Sequence, residues 1–233
     1  MQRPLSPTHE VELNFFYLHY NDALRLRDTA ASEQSKLRSM FVRHSILAVI
    51  FAAESLVNLL LDDFSRLPSG GKYIQRLGIR EKWFIAPMLC GSGSAGAQTF
   101  DASKAPFQQF SELVDLRNWL VHPKSGHFVE ATVDGSTITI MRTGEEVPWV
   151  DTHPGGVWPQ TQIPRNPFEL TSDHAGKAIE VLDNMVRELK LLLPSIATDN
   201  WLKRIILRDK RTGEESRIST HSLWGGYTPG VPE

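Results

Sequence analysis

The chain has 233 residues, with 25 basic and 27 acidic side chains, a formal net charge of -2, and 41% hydrophobic against 22% charged residues. That length can bury a sizeable core in one large domain or two small ones, and one domain with insertions is the simpler reading. The near-neutral balance excludes a protein that holds nucleic acid through its overall field, so any RNA contact has to be local. The single cysteine, Cys90, excludes an intrachain disulfide and fits a reducing cytoplasm.

The first ten residues, MQRPLSPTHE, have no apolar centre of the kind a signal peptide needs. Leu13, Phe16, Tyr17, Tyr20 and Leu24 then recur at helical spacing, so an amphipathic helix is expected over residues 8–30. A long helix is expected from Ser32 to Phe64, where Ile46, Val49, Ile50, Ala53, Leu56, Val57 and Leu60 cover most of the circumference. That is the pattern of a central bundle helix. Its most apolar run, Ile46 to Leu61, carries Glu54, Ser55 and Asn58 and is read as a buried helix, too short and too polar to span a membrane.

PSGG at Pro68 to Gly71 ends that segment, and residues 72–89 read as one or two short helices broken before Pro87. GSGSAGAQ follows as a flexible loop. Its first six residues fit G-x-G-x-x-G, but no strand precedes them and no long apolar helix opens after them, so nucleotide binding is not expected there. From Ala105 the helical period returns, with Phe110, Leu113, Val114 and Val121 on one stripe and Pro123 as the stop.

Residues 128–142 switch to a period of two around Asp134-Gly135, the signature of a β-hairpin inserted into a helical protein. Residues 147–168 hold five prolines and two glycines and read as an irregular connection. A last helix is expected from Thr171 or Ser172, its N-cap, through Ile179, Leu182, Met185, Val186, Leu189 and Leu193. Residues 1–200 are thus one mainly α-helical domain, and residues 201–233 a basic, then Gly/Pro-rich extension in which WLKRIILRD is a short strand or helix.

The chemistry concentrates in DLRNWLVHPK, Asp115 to Lys124. Residues five apart on a helix differ in direction by roughly 140° and residues four apart by about 40°. Asn118 therefore shares a face with His122, whereas Arg117 lies on the stripe of Phe110, Val114 and Val121. The stem of Arg117 is drawn towards the core and its guanidinium needs a carboxylate or a phosphate. His122 sits at the end of the helical pattern, where the dipole favours a protonated ring, and a histidine titrating near ~6.5 can exchange a proton near neutral pH. Glu54 and Asn58, one turn apart in an otherwise apolar helix, are the expected support, with Glu54 neutralising or aiming Arg117.

AAESLVN on one long helix and LRNWLVHPK at the end of another resemble the HEPN superfamily, whose ribonuclease members carry Arg, a polar residue, three more residues and His. Arg117, Asn118 and His122 match that motif, while the match of Glu54 to the family's acidic residue is looser. The resemblance covers about residues 10–64, 105–124 and 171–193 and implies a HEPN-like helical bundle, here with an inserted hairpin. It further implies metal-independent endoribonuclease action without a cofactor, at a homodimer interface where two motifs face each other, in a toxin or antiviral-defence setting with an antitoxin or other protein partner. His122 would be the acid/base and Arg117 the phosphate holder, with Asn118 orienting His122 or hydrogen-bonding a phosphate oxygen.

Lys124 and His127, just after the motif, and the cluster of Lys203, Arg204, Arg208, Lys210 and Arg211 are candidate RNA-backbone contacts. The other histidines lack metal-ligand spacing, so no metal site is expected. The alternative is a noncatalytic interaction module in which a buried Arg117–Glu54 pair, with His122 capping the helix carbonyls, is purely structural.

Overall fold

Apolar residues at every turn of a 27-residue stretch make α2 (Arg38–Phe64) the helix around which the others pack. The computed structural model describes residues 9–12, 15–33, 37–64, 71–91, 98–121, 126–133, 136–143, 156–194, 204–209 and 215–219, with side chains described within 15–33, 37–62, 73–91, 98–121 and 156–194. The helices are α1 (Phe15–Ser32), α2, α3 (Gly71–Ile74), α4 (Ile79–Cys90), α5 (Phe107–Val121) and α6 (Ser172–Leu192), so the protein is mainly helical. Strands β1 (His9–Glu12), β2 (Gly126–Val133), β3 (Ser136–Thr143), β4 (Arg204–Asp209) and β5 (Glu215–Ser219) pair antiparallel, as a three-stranded sheet in the order β1-β4-β5 and as the pair β2-β3, with Val133 opposite Ser136.

Cross-helix contacts fix the directions. Ser45 Oγ donates to the Ala23 carbonyl at 2.7 Å and the rings of His19 and Phe51 lie 5.7 Å apart, so α1 runs antiparallel to α2. Trp83 Nε1 donates to the Ala53 carbonyl at 3.1 Å and Cys90 Sγ reaches the Leu60 carbonyl at 3.6 Å, so α4 runs parallel to α2. Phe84 meets Phe107 at 5.9 Å and Trp83 meets Phe110 at 5.6 Å, so α5 returns antiparallel to α4. Tyr20 donates to Asp183 at 2.7 Å and Gly176 faces Arg27, so α6 is antiparallel to α1.

Val42, Ile46, Val49, Ala52, Ala53, Leu56, Val57 and Leu60 of α2 have no exposed surface. Burying a side chain of valine or leucine size contributes roughly 1.5–3 kcal/mol, and the alanines let neighbouring helices approach closely. By length and composition alone α2 could cross a membrane, which corrects the expectation that its apolar run is too short; 61% of its apolar window is buried inside the bundle. Cys90 is buried too, and desolvation pushes its thiol up to about 11, which leaves it protonated and unreactive near neutral pH.

Three helix boundaries depart from expectation, the first being that Ser32 closes α1 and α2 begins at Arg38. The first helix begins at Phe15, because His9–Glu12 alternates with a period of two and joins β4 as a strand. Pro87 does not break α4 but lies inside it, buried. Its missing N–H forfeits the bond to the Trp83 carbonyl, and burial of Trp83, Ala86 and Cys90 on the same helix outweighs that loss.

α6 starts with a capping box in which Thr171 is the N-cap and the N3 side chain is His174, whose Nδ1 accepts the Thr171 N–H at 3.0 Å. Nδ1 must be unprotonated to accept, and desolvation, then Lys177, hold the His174 pKa below its usual value, with Asp173 and Glu169 opposing. The unfolded chain therefore binds the proton more readily. This contribution is complete above the unfolded histidine pKa of about 6.5 and is lost as pH falls from there through the lower folded value. The urea midpoint should drop over that window, and His174→Gln, which keeps a capping-box side chain without titrating, should flatten the drop.

Candidate functional site

α5 carries the motif, and Trp83 sets its level in the bundle. Trp83 bonds to Ala53 and packs on Phe110, so these three residues lie at one height. Arg117 is seven residues beyond Phe110, roughly 10 Å along α5 and towards the start of α2. Its end of the bundle is therefore the one where α2, α4 and α6 begin, and helix N-termini carry partial positive charge.

Arg117 is half-buried and donates from Nη1 to Asn118 Oδ1 at 2.9 Å. Its Nε is buried without a hydrogen-bond partner. The expected ion pair with Glu54 is not formed among the described residues, because antiparallel packing places Glu54 just past the level of Phe110, on the far side from the motif. Asn58 is likewise engaged elsewhere: its Oδ1 accepts from Lys82 Nζ at 2.9 Å, and Lys82 is only 5% exposed. Asn58 thus serves α4, where a buried ammonium needs an acceptor.

His122, Lys124 and Lys203 lie outside the described residues. His127 is in β2 opposite Arg142, and Arg204 opens β4 opposite Ser219, with neither side chain among those described. The structure therefore brings Arg117 and Asn118 together and separates both from Glu54 and Asn58. Among the described residues no group of three or more His, Cys, Asp or Glu is placed to hold a metal ion.

Two contacts on α5 were not anticipated. Arg80, in the first turn of α4, pairs with Asp115 at 2.6 Å, and the same Nη2 donates to the Ser111 carbonyl. Asp115 opens the quoted motif, yet its partner is 35 residues earlier in the chain and no local pattern connects them. Glu112 holds the Pro-rich connection: its carboxylate accepts from Gln160 N–H at 2.8 Å, Thr161 N–H at 2.8 Å and Thr161 Oγ1 at 3.0 Å.

That connection is ordered over 156–170. Val157 bridges Pro164, Ile163 is fully buried, and Arg165 lies 4.8 Å over the half-buried Trp158 ring. Trp149 and Trp224 lie outside the described residues. Hydrogen bonds to a charged acceptor contribute about 1.5–3 kcal/mol each and water replaces part of that at a half-exposed site, so Glu112→Ala should cost about 2–3 kcal/mol. Hydrogen exchange should quicken first at the Gln160 and Thr161 amides, with α2 still protected.

No family model matches this chain, and neither the curated proteins nor the solved structures contain a match to it.

Proposed function

We propose that the protein is a metal-independent endoribonuclease of HEPN type, with Arg117 as the phosphate-binding residue and His122 as the acid/base. The observation that supports this reading is the state of Arg117: its guanidinium carries no carboxylate partner among the described residues, only Asn118, and its Nε is an unused buried donor. A cation left uncompensated in a half-buried position is the feature that a phosphodiester would complete. The bundle with an inserted β-hairpin and a cytoplasmic location belong to the same proposal.

The reaction is a transesterification. A base takes the 2′-OH proton, the oxygen attacks the adjacent phosphorus, and an acid protonates the departing 5′-oxygen, leaving a 2′,3′-cyclic phosphate. Arg117 would stabilise charge developing on the phosphoryl oxygens, and Asn118, bonded to Arg117, would hold the guanidinium in place. One histidine per chain serves one role at a time, so a homodimer presenting two motifs accounts for acid and base together. A toxin or defence role with an antitoxin partner is the setting that this chemistry suits.

A second reading, a noncatalytic interaction module, is favoured by a different feature. Phe15, Leu18 and Phe51 are 53%, 36% and 38% exposed on the outer side of α1 and α2, with His19 stacked on Phe15 and tilted against Phe51. Such a patch suits a protein partner. The test is incubation of purified protein with mixed RNA in EDTA, followed by analysis of product ends. Cyclic phosphate ends are expected; no cleavage of any RNA tried would leave the interaction module as the better account.

A further inference from the structure

Asp115 poses a problem for an anion site at Arg117 and Asn118. Ser111, Asp115 and Asn118 follow one another at four and three residues along α5, so they line one stripe. Side chains three apart on a helix have Cβ atoms about 5–6 Å apart, which sets the Asp115 carboxylate beside the amide that holds Arg117. It is 46% exposed. An unmasked carboxylate there repels a phosphate arriving at Arg117 and competes with it for the guanidinium.

Arg80 removes the problem. Its Nη2 sits 2.6 Å from Asp115 Oδ1 and also donates to the Ser111 carbonyl, so α4 delivers a positive charge onto the offending carboxylate. Arg80 is itself 32% exposed, and its Nε is buried without a partner. This guanidinium therefore keeps an unused donor while it neutralises Asp115.

We infer that Arg80 is a positioning and charge-compensating residue of the proposed RNA site, holding Asp115 away from Arg117 so that a phosphate of the RNA backbone can approach. This rests on the reading of Arg117 as a phosphate-binding residue. A simple structural tie between α4 and α5 makes the opposite prediction for Asp115, which renders the two separable.

The probe is a fluorescein-labelled 2′-O-methyl RNA oligonucleotide, which has the phosphodiester backbone but no attacking hydroxyl, followed by anisotropy. Arg80→Ala should weaken binding about tenfold by exposing a carboxylate within a helical turn of the site. Asp115→Asn should bind as tightly as the unaltered protein or more tightly, and Arg80→Ala/Asp115→Asn should recover to within about twofold of it. Weaker binding by Asp115→Asn, or a double variant no better than Arg80→Ala, overturns the inference and leaves Arg80 as a structural tie. Should Arg80→Ala fail to fold, Asp115→Asn alone decides, because the two accounts give it opposite signs. Arg117→Gln is the control for the underlying reading: if it binds as the unaltered protein does, or if the unaltered protein binds nothing, the RNA site itself is wrong.

Discussion

Trp83→Ala is expected to lower the free energy of unfolding by about 3–5 kcal/mol, the range for truncating a fully buried aromatic side chain. Trp83 has no exposed surface and joins three helices: its Nε1 bonds to Ala53 of α2, its ring meets Phe110 of α5 at 5.6 Å, and Phe100 packs on it at 5.8 Å. The loss combines transfer of the indole with the cavity that it leaves in the core. Natural domains have about 5–15 kcal/mol in total, so the variant should unfold at a much lower urea concentration with an unchanged slope. Trp83→Phe keeps most of the ring and loses the hydrogen bond, and should cost only about 1–2 kcal/mol. Equal midpoints for Trp83→Ala and the unaltered protein would mean that these helices do not meet at Trp83.

His122→Ala should reduce RNA cleavage in EDTA by about 10²–10⁴-fold, the usual contribution of a positioned proton donor or acceptor. Arg117→Ala should fall by about 10²–10³-fold, as expected for removal of a donor aimed at developing charge. Arg117→Lys separates charge from geometry: lysine keeps the cation but loses the planar fork, so an intermediate rate is expected. Of the polar groups expected to support Arg117, Asn58 is engaged by Lys82, and Glu54 forms no ion pair with Arg117 among the described residues. Glu54→Gln should therefore leave the cleavage rate within about twofold of the unaltered protein. Cleavage that survives His122→Ala intact would sink the nuclease assignment, while activity lost with Glu54→Gln would mean that α2 and α5 pack in another register.

The helices were legible because their information is local. The apolar period of α2 identified the most buried helix, and the stripe through Ile179, Leu182, Met185 and Leu189 identified α6. Pro87 shows the limit of local rules, since a residue that disfavours a helix interior is retained there by burial of its neighbours.

What the sequence determined by itself was where the long helices lie and which positions of α2 and α6 are apolar, because both depend on spacing along one chain segment. Only the tertiary structure decided who meets whom. Periodicity specifies a direction around a helix but not a height along its neighbour, so the pairing of Arg117 with Glu54 was a plausible face match at the wrong level. The same gap hid Arg80 beside Asp115, Lys82 beside Asn58, and the connection at Gln160 and Thr161 beside Glu112. Each of those contacts joins segments 24 to 49 residues apart, and the axial offset set by Trp83 between Ala53 and Phe110 determines which side chains can reach.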